Sequence, residues 1–160
     1  MAELLVVLFA LCVVPSIVTA HFLPNPLLLQ GSVYCDTCLC GFETVASRPL
    51  AGAVVRVECT KRDDTTELTY AKEVVTNSKG EYKMLVHQDR GNDVCDAMLV
   101  NSVDPECKTP NAGRDRARVI LTTNNGMASN VRFANPLGFL KNTPLASCQE
   151  ILQKYQEAED

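Results

Sequence analysis

The spacing of the cysteines constrains this chain more than any other feature of its sequence. Eight cysteines occur among 160 residues, and Cys35, Cys38 and Cys40 fall within six positions. A cluster so tight can bind a metal, carry out thiol redox chemistry or anchor disulfide bonds. The cellular compartment decides among these uses, because structural disulfides persist in oxidising environments.

The first twenty residues predict that compartment. The stretch from Leu4 to Val18 is almost entirely apolar, and Val18-Thr19-Ala20 supplies the small residues of a signal-peptidase site, although Glu3 is the only charged side chain before it. The apolar stretch is shorter than the roughly 20 residues that a membrane span needs. We therefore interpret residues 1–20 as a secretory signal and expect a protein of the extracellular space or cell wall with no membrane span.

Removal of the leader would take Cys12 and leave seven cysteines, a number that predicts three bridges and one leftover thiol. The whole chain has a formal net charge of −4, and loss of Glu3 brings it near −3. A mildly acidic balance offers no electrostatic footprint for nucleic acid and no polybasic attachment to an anionic membrane. Composition alone does not assign the cysteine pairs.

Alternating apolar and polar residues predict an all-β fold. Residues 21–29 contain two prolines and no periodic pattern, so we expect an extended lead-in there. Period-two alternation follows in several short runs that are separated by Gly, Asn, Asp and Pro. The predicted strands are 32–38, 52–59, 69–76, 80–87, 94–100 and 117–122. This pattern predicts an antiparallel β-barrel or sandwich of about six to seven strands rather than βαβ units.

A short helix is predicted at the C-terminal end. Thr143 can cap it, Pro144 suits its first position, and an apolar stripe at helical spacing includes Cys148 and Tyr155. Residues 157–160 form a frayed acidic tail in this interpretation. We expect residues 30–156 to form a single domain.

Metal binding and redox catalysis both fit the cysteine cluster poorly. A structural zinc site needs four ligands, and outside the cluster the sequence offers scattered cysteines with His21 and His87. A thioredoxin-like motif needs its Cys-x-x-Cys at a helix N-terminus, whereas Cys35 and Cys38 belong to a predicted strand. Positions 35 and 38 differ by an odd number, so their side chains can reach different distant elements. We therefore predict disulfide anchors and no metal.

An enzyme is not expected. No pair of histidine and nucleophile suggests itself, and Asp63-Asp64 with Glu67 is typical of a solvated loop. The sequence has no Trp and only nine Phe or Tyr residues for a sugar-stacking platform. No glycine-rich phosphate-binding loop is present, so no cofactor is predicted.

Three alternating arginines form the best surface hypothesis. Arg114, Arg116 and Arg118 would lie on one side of a strand, where guanidinium groups could bind a polyanionic wall polymer or an acidic receptor face. The competing interpretation is an ordinary solvent-exposed face with Asp115 nearby. We expect Asn135 to Phe139 to form a buried turn.

Residues 30–38, Gln-Gly-Ser-Val-Tyr-Cys-Asp-Thr-Cys, closely resemble the hallmark G-x-V-Y-C-D-T-C of the olive-pollen major allergen (Ole e I-like) and extensin-like family of plant secreted proteins. Further motifs of that family recur in order along the chain. They are Gly41-Phe42, Gly52-Ala53, Val57-Glu58-Cys59, Gly80-x-Tyr82, Asp104-x-x-Cys107, Asn135 to Phe139, and Cys148. The resemblance covers essentially the whole chain after the leader.

The resemblance implies a single β domain with bridges from Cys35 to Cys107, Cys38 to Cys148 and Cys59 to Cys95. Cys40 departs from the family pattern and is left over. It is then a free thiol, a site of intermolecular pairing that would make a dimer, or a competitor for the bridge of Cys38. We favour a buried or inert thiol in a monomer, because free Cys often behaves as a small hydrophobe.

The resemblance also implies a function. We expect a secreted, non-catalytic plant protein of the extracellular matrix, which acts by recognition or structural association in pollen or wall development. Cell-wall polysaccharide and a receptor ectodomain are the partners that suit it. The alternative is a small secreted hydrolase inhibitor or a carrier of an apolar ligand.

Overall fold

The computed structural model describes residues 26–157. The predicted secretory signal, His21 and the last three residues of the predicted acidic tail lie outside the described residues. The described elements are β1 (Leu27–Asp36), β2 (Arg48–Pro49), β3 (Val54–Lys61), β4 (Leu68–Val75), β5 (Glu81–Val86), β6 (Asp93–Asn101), β7 (Thr109–Pro110), β8 (Arg116–Val119), β9 (Val131–Phe133), β10 (Leu137–Leu140) and α1 (Cys148–Glu157).

The strands form two sheets. In the first sheet, the N-terminal half of β1 pairs antiparallel with β5 and parallel with β9, and its C-terminal half pairs antiparallel with β2 and parallel with β10. Strand β7 completes this sheet beside β10. The second sheet is antiparallel in the order β4-β3-β6-β8. The predicted all-β sandwich with a short C-terminal helix is confirmed, and the barrel alternative is wrong because the two sheets do not close on each other.

Period-two burial explains the core. In β3, Val55, Val57 and Cys59 are fully buried, whereas the residues between them are partly exposed. Strand β5 repeats the pattern with Tyr82 and Val86 turned inward. Each fully buried aliphatic side chain contributes roughly 1.5–3 kcal/mol relative to an exposed one. The inward-facing residues of the two sheets therefore hold the sandwich together.

Strand β1 and residues 135–139 differ from their predictions, and the strand predicted at 117–122 is β8, which ends at Val119. Strand β1 begins at Leu27, inside the predicted lead-in, and Leu29 is fully buried. The sequence shows no apolar–polar alternation there, because β1 has neighbours on both sides and Leu28 on its outer face is also apolar and half-buried. The predicted turn at 135–139 is instead largely strand β10, in which Leu137 and Phe139 are fully buried. A short strand that runs parallel to a distant partner has no hairpin turn to mark it in the sequence.

A glycine of the hallmark segment permits a close contact within the first sheet. A Cβ atom added at Gly31 would lie 2.5 Å from Cζ of Tyr82, whose ring covers the backbone of β1. The Tyr82 hydroxyl is buried without a hydrogen-bond partner among the described residues. Burial raises the pKa of Tyr82 to about 12. The glycine is required here by space rather than by backbone conformation.

Replacing Gly31 by alanine tests this packing. We expect Gly31→Ala to lower the free energy of unfolding by about 1–3 kcal/mol, because the added methyl group must displace the Tyr82 ring from a packed core. Ser32→Ala, one position further along the same strand, is the control and should change stability by less than about 0.5 kcal/mol. Denaturant unfolding of the oxidised proteins measures both. Equal stability of Gly31→Ala and the parent protein would contradict the packing argument.

Candidate functional site

The end of β1 is the most heavily cross-linked part of the molecule. Disulfides join Cys35 to Cys107 and Cys38 to Cys148, and a third joins Cys59 to Cys95 between neighbouring strands of the second sheet. These pairs are the ones that the family resemblance implies. The first bridge ties β1 to the segment before β7, and the second ties the turn just after β1 to the start of α1.

The buried carboxylate of Asp36 organises the loop between these cysteines. Asp36 is fully buried and accepts hydrogen bonds from the backbone N–H groups of Cys38 (3.1 Å) and Gly41 (2.8 Å). The side-chain amide of Asn111 donates a third (3.2 Å). The hydroxyl of Thr37 donates to the carbonyl of Ala46 (2.9 Å). A buried carboxylate is tolerated only where donors surround it, so the polar side chains of this segment are engaged in building the scaffold.

Cys40 is the one free cysteine within residues 26–157. Its thiol is half-buried, lies 3.3 Å from the carbonyl oxygen of Phe42 and faces Asp36 Oδ1 at 3.6 Å. Burial raises the pKa of the Cys40 thiol, and the neighbouring Asp36 carboxylate raises it further. A protonated thiol is a poor nucleophile, so this geometry favours the inert-thiol alternative.

The three arginines of the surface hypothesis do not share one strand face. Strand β8 begins at Arg116, and Arg114 lies in the preceding turn, where its Nε donates to the carbonyl of Gly41 (2.8 Å). Arg116 and Arg118 do lie together on the outer face of the second sheet. Arg118 Nε is paired with Asp96 Oδ1 at 2.6 Å. The even spacing of the arginines predicted one continuous strand. That spacing does not reveal the turn that contains Gly113, whose φ is 86°.

A polar cavity of about 670 Å³ opens at one end of the second sheet. Its walls come from the ends of strands and the loops around 89–92 and 122–124. The guanidinium group of Arg90 lies 4.7 Å from the centre of the Tyr70 ring. It also lies 3.5 Å from the carboxylate of Asp93, which accepts a hydrogen bond from the hydroxyl of Thr69 (2.7 Å). Sequence reasoning missed this site because its residues come from separate loops. The turn-forming composition of Asp89 to Asp93 was its only local signal.

The carboxylate of Asp89 links the two loops that line this cavity. It accepts hydrogen bonds from the N–H of Thr123 (2.7 Å), the N–H of Gly91 (2.8 Å) and the hydroxyls of Thr122 (3.0 Å) and Thr123 (2.9 Å). These hydrogen bonds lower the pKa of Asp89 to about 2, and the bond from the Thr123 N–H has the largest effect. The carboxylate therefore serves to hold the loops at neutral pH.

Among residues 26–157, no group of three or more His, Cys, Asp or Glu side chains could hold a metal ion. The helix in that range is too short and too polar to cross a bilayer. His87 lies on the surface just after β5.

Known proteins resemble this chain in sequence and in fold. The family described as "Pollen protein Ole e 1 like" matches residues 25–156. The chain is 40% identical over 155 residues to the anther-specific protein LAT52 of Solanum lycopersicum, covering 96% of this chain and 95% of that protein. It is also 40% identical over 148 residues to the pollen allergen Cro s 1 of Crocus sativus, with 91% and 88% covered. The crystal structure of the major plantain pollen allergen Pla l 1 superposes with a TM-score of 0.66 at 26% identity, covering 77% of this chain and 99% of that one.

The pH dependence of stability should reveal the role of Asp89. Because its pKa is lowered on folding from the ordinary 3.8 to about 2, its contribution is present above the unfolded pKa and is lost as the pH falls through the folded pKa. We expect Asp89→Asn to unfold at a lower temperature than the parent protein at about pH 6, with the difference shrinking between about pH 4 and pH 2. Circular dichroism melts measure it.

Asp63→Asn is the matched control for Asp89→Asn, since it removes the same charge from an exposed loop. It should melt close to the parent protein at about pH 6. A melting difference for Asp89→Asn that stays constant down to about pH 2 would contradict the assignment.

Proposed function

This chain belongs to the Pollen protein Ole e 1 like family, and on that premise we propose that it is secreted and acts by non-catalytic recognition in the extracellular matrix of pollen or anther. The names of its relatives support the tissue, since they include an anther-specific protein and a pollen-specific protein C13. The three disulfides support secretion, because such bridges persist in oxidising compartments.

The use of the hallmark residues carries this proposal. Cys35 and Cys38 are bridged, Asp36 is surrounded by donors, and Thr37 is bonded to a backbone carbonyl. These side chains are engaged in the scaffold, and none is left to act on a substrate. A rigid scaffold with function in its loops and edges is the usual arrangement of a recognition domain.

The carboxylates of the polar cavity do not suit acid–base catalysis. Asp89 is saturated with hydrogen bonds, and its lowered pKa makes it a weak proton acceptor and leaves no proton to donate near neutral pH. Asp93 is paired with Arg90. Both groups therefore support a structural use of this cavity's acids.

The packed interior does not favour an apolar-ligand carrier. In the described part of the chain, the space between the sheets is filled by a contiguous group of buried side chains, including Leu29, Val57 and Phe139. A carrier of the lipid type would need an enclosed apolar cavity of several hundred Å³, roughly 300–1,000 Å³ for a small ligand. The polar cavity, by contrast, is lined mainly by hydroxyl, amide and charged groups.

A retention assay with a parallel turnover assay tests the proposal. The oxidised protein is incubated with washed pollen and anther wall material, and bound protein and released reducing sugar are both measured. We expect saturable retention without sugar release. Protein that has been reduced and alkylated is the control, and it should lose retention because the scaffold is unfolded. Retention no better than this control, or sustained sugar release that scales with protein, would contradict non-catalytic recognition.

A further inference from the structure

Among residues 26–157, strand β8 is an edge strand with no described strand on its outer side. It pairs with β6 on one side, with Ala97 opposite Ala117 and Asp96 opposite Arg118. The hydrogen bond from Leu99 N–H to the carbonyl of Asp115 (2.9 Å) shows which residue pairs of β6 and β8 are hydrogen-bonded to each other. Since hydrogen-bonded pairs alternate in an antiparallel ladder, Ala117 bonds to β6, and the N–H and C=O groups of Arg116 and Arg118 point away from it.

Each of the other described edges is interrupted by a side-chain contact or a proline. Lys72 Nζ on β4 donates to the carbonyl of Leu85 on β5 (3.4 Å), so this side chain lies between the two edges at that corner. On β9, Val131 N–H bonds to Ser129 Oγ (3.0 Å), and the Val131 carbonyl accepts from Arg132 Nη1 (3.0 Å). Strands β2 and β7 are two residues long, and each contains a proline. Prolines and covering side chains are usual protection against edge pairing. Strand β8 contains no proline, and within residues 26–157 no side chain hydrogen-bonds to the outward groups of Arg116 and Arg118.

The open edge is positively charged on a chain that is negative overall. The formal net charge is −4. Arg116 lies opposite the uncharged Met98, and it has no acidic partner among the described residues. Arg118 is 62% exposed although it is paired with Asp96. Arg62 extends toward the same end of the strand, where its Nη2 lies 3.5 Å from the Asp93 carbonyl.

A hollow of about 280 Å³ adjoins the C-terminal end of β8. Arg62 and Arg118 line it together with Ile120, which follows the strand and is 61% exposed. Its size suits one or two side chains of a bound segment. Main-chain pairing with side-chain pockets beside the edge is the arrangement by which sheets bind extended peptides.

We propose that the β8 edge binds an extended, acidic segment of a partner protein by strand addition. The segment pairs with the outward N–H and C=O groups of Arg116 and Arg118. Acidic side chains at every second position then face the guanidinium groups of both arginines. A second copy of this chain is the less suitable occupant, because antiparallel self-pairing about Ala117 would place Arg116 opposite Arg118 of the other copy. The proposal rests on the recognition function above and gives it a site and a partner class.

Amide hydrogen exchange by NMR tests the pairing. The probe is an acetylated, amidated octapeptide of alternating valine and glutamate, added to the folded, oxidised protein. We expect the amides of Arg116 and Arg118 to exchange about tenfold more slowly at saturation, because they gain hydrogen-bond partners. The amide of Ala117 already bonds to β6 and serves as an internal control. A peptide of alternating valine and lysine should leave all three unchanged.

Two pairs of variants separate charge from backbone pairing. Arg116→Glu should weaken binding of the glutamate peptide by roughly tenfold and Arg116→Gln by less, because only the first creates repulsion. Arg118→Pro and Arg118→Gln both lose the pair with Asp96, but only proline removes the outward N–H. An edge strand tolerates proline where the N–H faces solvent, so Arg118→Pro should fold and bind more weakly than Arg118→Gln. The amide spectrum of each variant checks its folding.

Three outcomes would overturn the proposal. They are equal effects of the two peptides, slowed exchange at β4 or β9 in place of β8, and equal binding by Arg118→Pro and Arg118→Gln in their folded states. Any of these would leave the retention of the protein on wall material untouched. Failure of the docking site is thereby distinguishable from failure of the recognition function.

Discussion

Strand β1 is held by more independent interactions than any other element of its sheet. It pairs with four strands, two on each half of its length. At its end, Cys35 is bridged to a residue 72 positions away, and Cys38, just beyond it, to a residue 110 positions away. On the chain-entropy model, closing loops of this length stabilises a fold by about 4–5 kcal/mol each. Each bridge is therefore comparable with the whole net stability of a small domain.

Hydrogen-bonded carboxylates, that of Asp36 buried and that of Asp89 exposed, extend this restraint to the loops. Asp36 fixes the loop after β1, and Asp89 fixes two loops at the cavity. Both accept hydrogen bonds from backbone N–H groups of these loops. These two acids are thus used in the scaffold, whereas Arg116 at the β8 edge has no acidic partner among the described residues. The division between a rigid frame and a charged edge follows from where each carboxylate lies.

Local patterns in the sequence predicted what depends on local structure. The alternation in β3, β5, β6 and β8 gave their inward faces, and the stripe through Cys148 and Tyr155 gave the helix. The pairing of cysteines came from the family resemblance, because spacing alone left several partners open. Strands β9 and β10 were missed since parallel pairing with β1 depends on contacts distant in sequence. The polar cavity was missed for the same reason. The predicted row of three arginines on one strand was too long, because the turn after Asn111 leaves no mark in the spacing of the charges.

The central claim is that the clustered cysteines are covalent anchors for distant elements and that Cys40 takes no part. Peptide mapping of the native protein under non-reducing conditions, with free thiols alkylated first, tests it most directly. We predict bridges from Cys35 to Cys107, Cys38 to Cys148 and Cys59 to Cys95, with the alkyl group on Cys40 only after unfolding or slow labelling. Linkage of Cys40 to Cys107 or Cys148, or rapid alkylation of Cys35 and Cys38 in the native protein, would contradict the account.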